Sequence, residues 1–69
     1  MNFLDRVMAK AEVIKESQKL IDRLYPTGMG YVLIMENIKA NIGDRLSTED
    51  IISVLDISAN YYNSKTKEL

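Results

Sequence analysis

The chain has no cysteine and no histidine among its 69 residues. Those two side chains carry most nucleophilic, acid–base and metal-binding chemistry near neutral pH. Their absence excludes a disulfide scaffold, a redox dithiol, a zinc finger and a catalytic triad of the usual kind, and no cofactor or metal is expected. Hydrophobic runs are short. The longest, Tyr31 to Met35, falls far below the roughly 20 residues that cross a bilayer, so no membrane span is expected. Charge of one sign is also missing. Nine basic residues stand against ten acidic ones, which gives no general attraction to nucleic acid or to an anionic surface. The opening Met-Asn-Phe-Leu-Asp-Arg mixes acid and base with no separate apolar core, unlike a secretory signal, so a cytoplasmic location is expected.

What is present fits a small globular domain. Hydrophobic residues make up 46% of the chain, too many for a disordered segment. A domain of this length buries only about 60% of its unfolded surface, and burial and ordering entropy nearly cancel. Without a staple, it needs regular helix packing or burial of a face against another chain. Ile, Lys, Asn, Tyr and Met recur together, a bias common in low-GC bacteria and their phages.

Breakers fall in two places, Pro26 with Gly28 and Gly30, and Gly43 with Asp44. They divide the chain into three segments. The spacing predicts an all-α domain of three helices over 2–24, about 29–42, and 48–65. In the first, Leu4, Val7, Ala11, Ile14, Gln18, Ile21 and Tyr25 alternate at three and four, as in a coiled-coil seam. Val13, Leu20 and Leu24 widen this stripe, so the helix is expected to touch more than one neighbour. Glu12–Lys15 and Glu16–Lys19 are spaced to pair along the helix. Pro26 is expected to end it by pushing residue 25 toward an extended conformation. In the second, the run 31–35 also suits a strand, but Ile34, Met35, Ile38 and Ile42 keep helical spacing and an isolated strand would lack a partner. Gly43 fits a left-handed position just past the end. The third opens with Ser47 or Thr48 as cap and Glu49 and Asp50 in the first turn. Its stripe is Ile51, Val54, Leu55, Ser58 and Tyr62, with Ile52 and Ala59 beside it. Lys65 and Lys67 suit its C-terminal end, and the last few residues are expected to fray. The expected core is Val7, Ile14, Ile21, Ile34, Ile38, Ile51, Leu55 and Tyr62.

Each feature that suggests chemistry has a plainer reading. Thr27-Gly28-Met29-Gly30 precedes a helix, where backbone amides attract phosphate. It lacks the further Gly and the Lys-Ser/Thr of a phosphate loop, and a turn between helices explains it. Asp44-Arg45 and Glu49-Asp50 gather acids, but not in the alternating order of a calcium loop; capping and an ion pair explain them. Of Tyr61 and Tyr62, about 100° apart on a helix, Tyr62 continues the core stripe and Tyr61 should be more exposed. Tyr61, Asn60, Asn63 and Lys65 are therefore the candidate partner-binding residues.

Residues 51–62 also resemble a helix-turn-helix unit, with Leu55-Asp56-Ile57-Ser58 as the turn. The resemblance implies that Asn60, Tyr61, Asn63, Ser64, Lys65 and Lys67 would face the major groove. Asp56 stands where glycine is common, bulky Ile52 where a small residue is usual, and acids outnumber lysines over 46–69. One uninterrupted helix is the simpler reading.

A small core and spare apolar surface on the first helix lead to an expectation of self-association, a dimer being favoured. The function expected is that of a non-catalytic interaction protein that binds and modulates a protein partner. A DNA-binding regulator using the third segment is the alternative. A small-ligand or nucleotide binder between subunits, around Gly28 to Tyr31, is the third.

Overall fold

The structure is a computed structural model describing residues 2–67. Three helices form an up-down-up bundle: α1 (Phe3–Leu24), α2 (Tyr31–Ile42) and α3 (Thr48–Lys67), with a single 3₁₀ turn, Tyr25–Thr27, between the first two. The expected all-α class and three-helix architecture hold, and the strand alternative for 31–35 does not. The fraying expected of the last residues concerns Glu68 and Leu69, which lie outside the described residues.

Local chemistry sets each boundary. Asn2 is the cap of α1 rather than its first residue: its Oδ1 accepts the amide of Asp5 at 2.8 Å. The helix does not end because residue 25 is extended. Tyr25 stays right-handed helical, at φ −56° and ψ −47°. The chain instead tightens into the 3₁₀ turn, where Pro26 occupies the first turn and its missing N–H is tolerated. Gly28 then reverses the chain in the left-handed region at φ 84°. Gly30 does not share the left-handed conformation of Gly28. It has an ordinary extended φ of −71° and caps α2, which starts two residues later than expected. Gly43 has the expected positive φ of 56°, but with ψ −126°, a backbone conformation open essentially to glycine alone. Ser47 caps α3, its Oγ accepting the amide of Asp50.

Contacts at both ends fix the directions. Arg6 and Lys10 reach Asp50, and Asp22 reaches Tyr61, so α1 and α3 run parallel. Glu16 meets Asn41, and Tyr31 meets Tyr62, so α2 runs against both. Val13, Ile21, Ile34, Ile38, Ile42 and Val54 are fully buried, together with Ser17 and Ser58. Ile21, Ile34 and Ile38 were expected there. Ile14, Ile51, Leu55 and Tyr62 are half-buried around this centre. Val7 is a correction, since it lies exposed on α1. The reason is geometric. The buried line of α1 follows every fourth residue, Val13–Ser17–Ile21, which is the ridge that packs between helices at a steep angle. The alternating seam follows a shallower path, meets that ridge at Ile21 and departs from it toward the N-terminus.

Candidate interaction surface

Two networks of polar side chains fix the bundle from outside. Glu16 of α1 accepts from Arg45 Nη2 at 2.8 Å and from Asn41 Nδ2 at 2.9 Å. The Arg45 guanidinium, helped by the Asn41 amide, holds the Glu16 carboxyl below its ordinary range, and Glu16 in turn raises Arg45. At the other end, Asp22 Oδ1 lies 2.6 Å from Lys65 Nζ and accepts the Tyr61 hydroxyl at 2.7 Å. Lys65 first, then Tyr61, lowers Asp22; the same hydrogen bond raises the Tyr61 phenol. Both carboxylates are therefore held ionised, the opposite of what a general acid at neutral pH requires.

These networks revise several expectations. Glu16 turns to Arg45 across the bundle, and neither it nor Glu12 forms a salt bridge along α1. Arg45 does not pair with neighbouring Asp44, and Asp50 faces Arg6 and Lys10 at 3.6 and 3.9 Å. Among the described residues no cluster of three metal-ligating side chains forms. Of the four partner-binding candidates, Tyr61 and Lys65 are half-buried and engaged with Asp22, Lys65 also lying 5.2 Å over the Tyr61 ring. Asn60 and Asn63 are exposed. Tyr62 packs edge-on against both Tyr25 and Tyr31, with ring centroids 5.5 and 5.2 Å away, and so closes one end of the bundle. Residues 55–58 lie inside α3. No turn separates two helices there, which removes the geometry of a helix-turn-helix reader. Periodicity gave no warning of Asp22, Glu16, Asn41 and Arg45 as tertiary partners, because their contacts join residues 25 to 39 apart.

The exposed surface is apolar in two places. On α1, Phe3, Leu4, Val7 and Met8 keep 79%, 62%, 46% and 62% of their surface in water. Of the seam residues, Leu4, Val7 and Ala11 are exposed, Ile14, Gln18 and Tyr25 are half-buried, and Ile21 is spent inside its own bundle. The second place is a groove of about 320 Å³ between α2 and α3, floored by Tyr31, Val32, Met35 and Leu55 and edged by Glu36 and Lys39. One cause serves the α1 end. With 12 residues against 22 and 20, α2 spans only about 18 Å, and its last turn lies near Glu16, leaving the N-terminal half of α1 without a second helix beside it; beyond α3, the loop 44–47 comes near Arg6 and Ala9.

No helix among the described residues is long and apolar enough to cross a membrane. Comparison with known protein families, with curated proteins and with solved structures finds no match for this chain.

Proposed function

We propose that this chain is a non-catalytic helical interaction protein that binds and modulates a protein partner. The observation that carries the reading is the apolar surface left in water on so small a bundle: Phe3, Leu4, Val7 and Met8 on α1, and Tyr31, Val32, Leu33 and Ile52 on α2 and α3. Scattered exposed hydrophobics are ordinary, whereas contiguous ones mark contact surfaces. The polar networks support the same reading, since each serves to brace one helix against another.

Photo-crosslinking in cells, from Val32 and from Val7, tests this proposal, with the exposed position Arg23 as control. A discrete adduct with a second protein from the apolar positions, absent from Arg23, is the expected result. Adducts with nucleic acid, together with heparin retention lost steeply with salt, would replace the reading by the DNA-binding one. Thermal stabilisation by a nucleotide would instead place a small ligand in the groove beside Tyr31.

A further inference from the structure

The charges of the chain nearly cancel in sum but not in space. α1 holds Arg6, Lys10, Lys15, Lys19 and Arg23, while Arg45 and Lys65 are bound to its carboxylates Glu16 and Asp22. The groove between α2 and α3 has the opposite character. Glu36 edges it on the α2 wall. On α3, Glu49 and Asp56 lie one turn either side of Ile52 and so share its outward face. All three carboxylates are exposed, and none makes a salt bridge within the chain. Lys39 is the one base among the residues that line the groove.

We infer that this groove takes a short amphipathic helix of a partner protein, with basic residues flanking its apolar face. The inference rests on the proposed partner-binding function and names the segment that makes the contact. Length, backbone and charge each limit the occupant. The α2 wall is 12 residues long, so the groove holds about three helical turns. Both walls are helices, whose interior amides and carbonyls are already used. An extended segment would find no strand edge there for its own backbone groups, whereas a helix brings them paired. Its apolar residues, spaced at three and four, seat on Tyr31, Met35 and Leu55, and the unbranched Met35 side chain adapts to their shape. Lysine or arginine stems cover the exposed Val32 and Ile52 and carry their charges to Glu36, Glu49 and Asp56. The same carboxylates select against other occupants. Nucleic acid and anionic lipid are repelled from the rim. A second copy docked groove to groove sets acidic rim against acidic rim. The exposed apolar stretch of α1 in a second copy carries Asp5, and its Arg6 is committed to Asp50, the reverse of what the rim selects.

Two synthetic helical peptides of about 14 residues, or four turns, test it. Both carry the same leucine face, flanked by lysine in one and by glutamate in the other. Fluorescence anisotropy should find the lysine peptide bound to the purified chain about tenfold more tightly at low salt, with the gap closing as salt rises. E36K/D56K should invert the preference. V32N/I52N, which removes apolar surface and no charge, should weaken both peptides by roughly tenfold. Circular dichroism should find both variants as helical as the unaltered chain, because all four positions are exposed. Equal affinities, no binding of either peptide, or a preference that E36K/D56K leaves unchanged would overturn the inference. The Val32 photo-adduct formed in cells separates it from the proposed function. The cross-linked peptide, sequenced by mass spectrometry, should lie in a basic amphipathic helix of the second protein. An acidic or extended segment at Val32, or protein adducts from Val7 alone, would overturn the inference and leave the proposed function standing. Protein adducts from neither position would remove that function as well.

Discussion

The two halves of α1 have similar helical credentials and different fates. From Val13 to Leu24 the helix is held on two sides, with Glu16 tied to the end of α2 and Asp22 to α3, and Val13, Ser17 and Ile21 fully buried. From Phe3 to Glu12 it has α3 on one side through Arg6 and Lys10, and its bulkiest apolar residues face water. Both halves lack breakers and both carry an apolar stripe. The difference is therefore set by the reach of α2, which stops at Ile42, and not by any property of α1 itself. Regular hydrophobic spacing identifies a surface that wants covering, but the covering element must come from somewhere else in the chain or from another chain.

The comparison is broken most directly by truncating one side chain in each half. Ile21→Ala removes a fully buried side chain and should lower unfolding free energy by about 2–5 kcal/mol, a large share of what so short a domain possesses. Val7→Ala, measured on the monomer by urea denaturation, should change it by no more than about 0.5 kcal/mol. Equal losses at the two positions would mean that the N-terminal half is packed as firmly as the rest. Hydrogen exchange sharpens the same contrast. Amides of residues 17–24 should exchange only on global opening, and those of 7–11 at least ~10-fold faster by local fraying. Protection of the second group should rise with protein concentration if the copies pair.

Helix number, helix type and most turn chemistry were legible in the sequence. Gly28, Gly43 and Ser47 act where their conformational or capping needs put them, and Ile21, Ile34 and Ile38 reach the centre by period alone. The buried face of α1 was harder to read. Two overlapping lines run along it, each with one polar interruption. The seam is broken by Gln18 and the true ridge by Ser17. Hydropathy cannot rank them, because the choice depends on the angle at which α2 and α3 cross. Two of the candidate binding residues are less free than their positions on α3 suggest, for a related reason. Tyr61 and Lys65 look free on α3 until the fold brings up Asp22, and nothing local announces a contact between residues 39 apart.

Ser17 carries a cost of its own on that ridge. Its hydroxyl is fully buried and has no hydrogen-bond partner. An unsatisfied buried polar atom is unfavourable, and alanine is the better helix former. Ser17→Ala should therefore stabilise the chain by about 1 kcal/mol, seen as a higher urea midpoint. A loss of stability would indicate that the hydroxyl is hydrogen-bonded inside the bundle.

Acid acts on the well-held half. Glu16 and Asp22 both have folded pKa values below their ordinary 4.5 and 3.8. Their contribution is complete above the ordinary values and disappears as pH falls through the folded ones. Stability should thus decline as pH drops below about 4.5, and the double variant E16Q/D22N should flatten that decline. Because both carboxylates are partly exposed, solvent screening keeps the combined contribution within about 1 kcal/mol. An unchanged acid slope in the variant would assign the decline to other carboxylates.

The smallest effect concerns the start of α2, at the end where the bundle is best closed. Gly30 caps the helix with no side chain to receive its first amides, in an extended conformation that any residue adopts, and with open space where a Cβ would stand. Glycine there loses more chain entropy on folding than other residues, and serine would supply the missing acceptor. Gly30→Ser should therefore raise stability by a few tenths of a kcal/mol. The gain should appear as slower exchange of the Ile34 amide and its neighbours, beside Tyr62 and the packed half of α1, with residues 7–11 unaffected. Gly28→Ser, at φ 84°, should do the reverse and destabilise by about 1 kcal/mol. If the two glycines responded alike, the turn would not divide its work between one residue that needs to be glycine and one that does not.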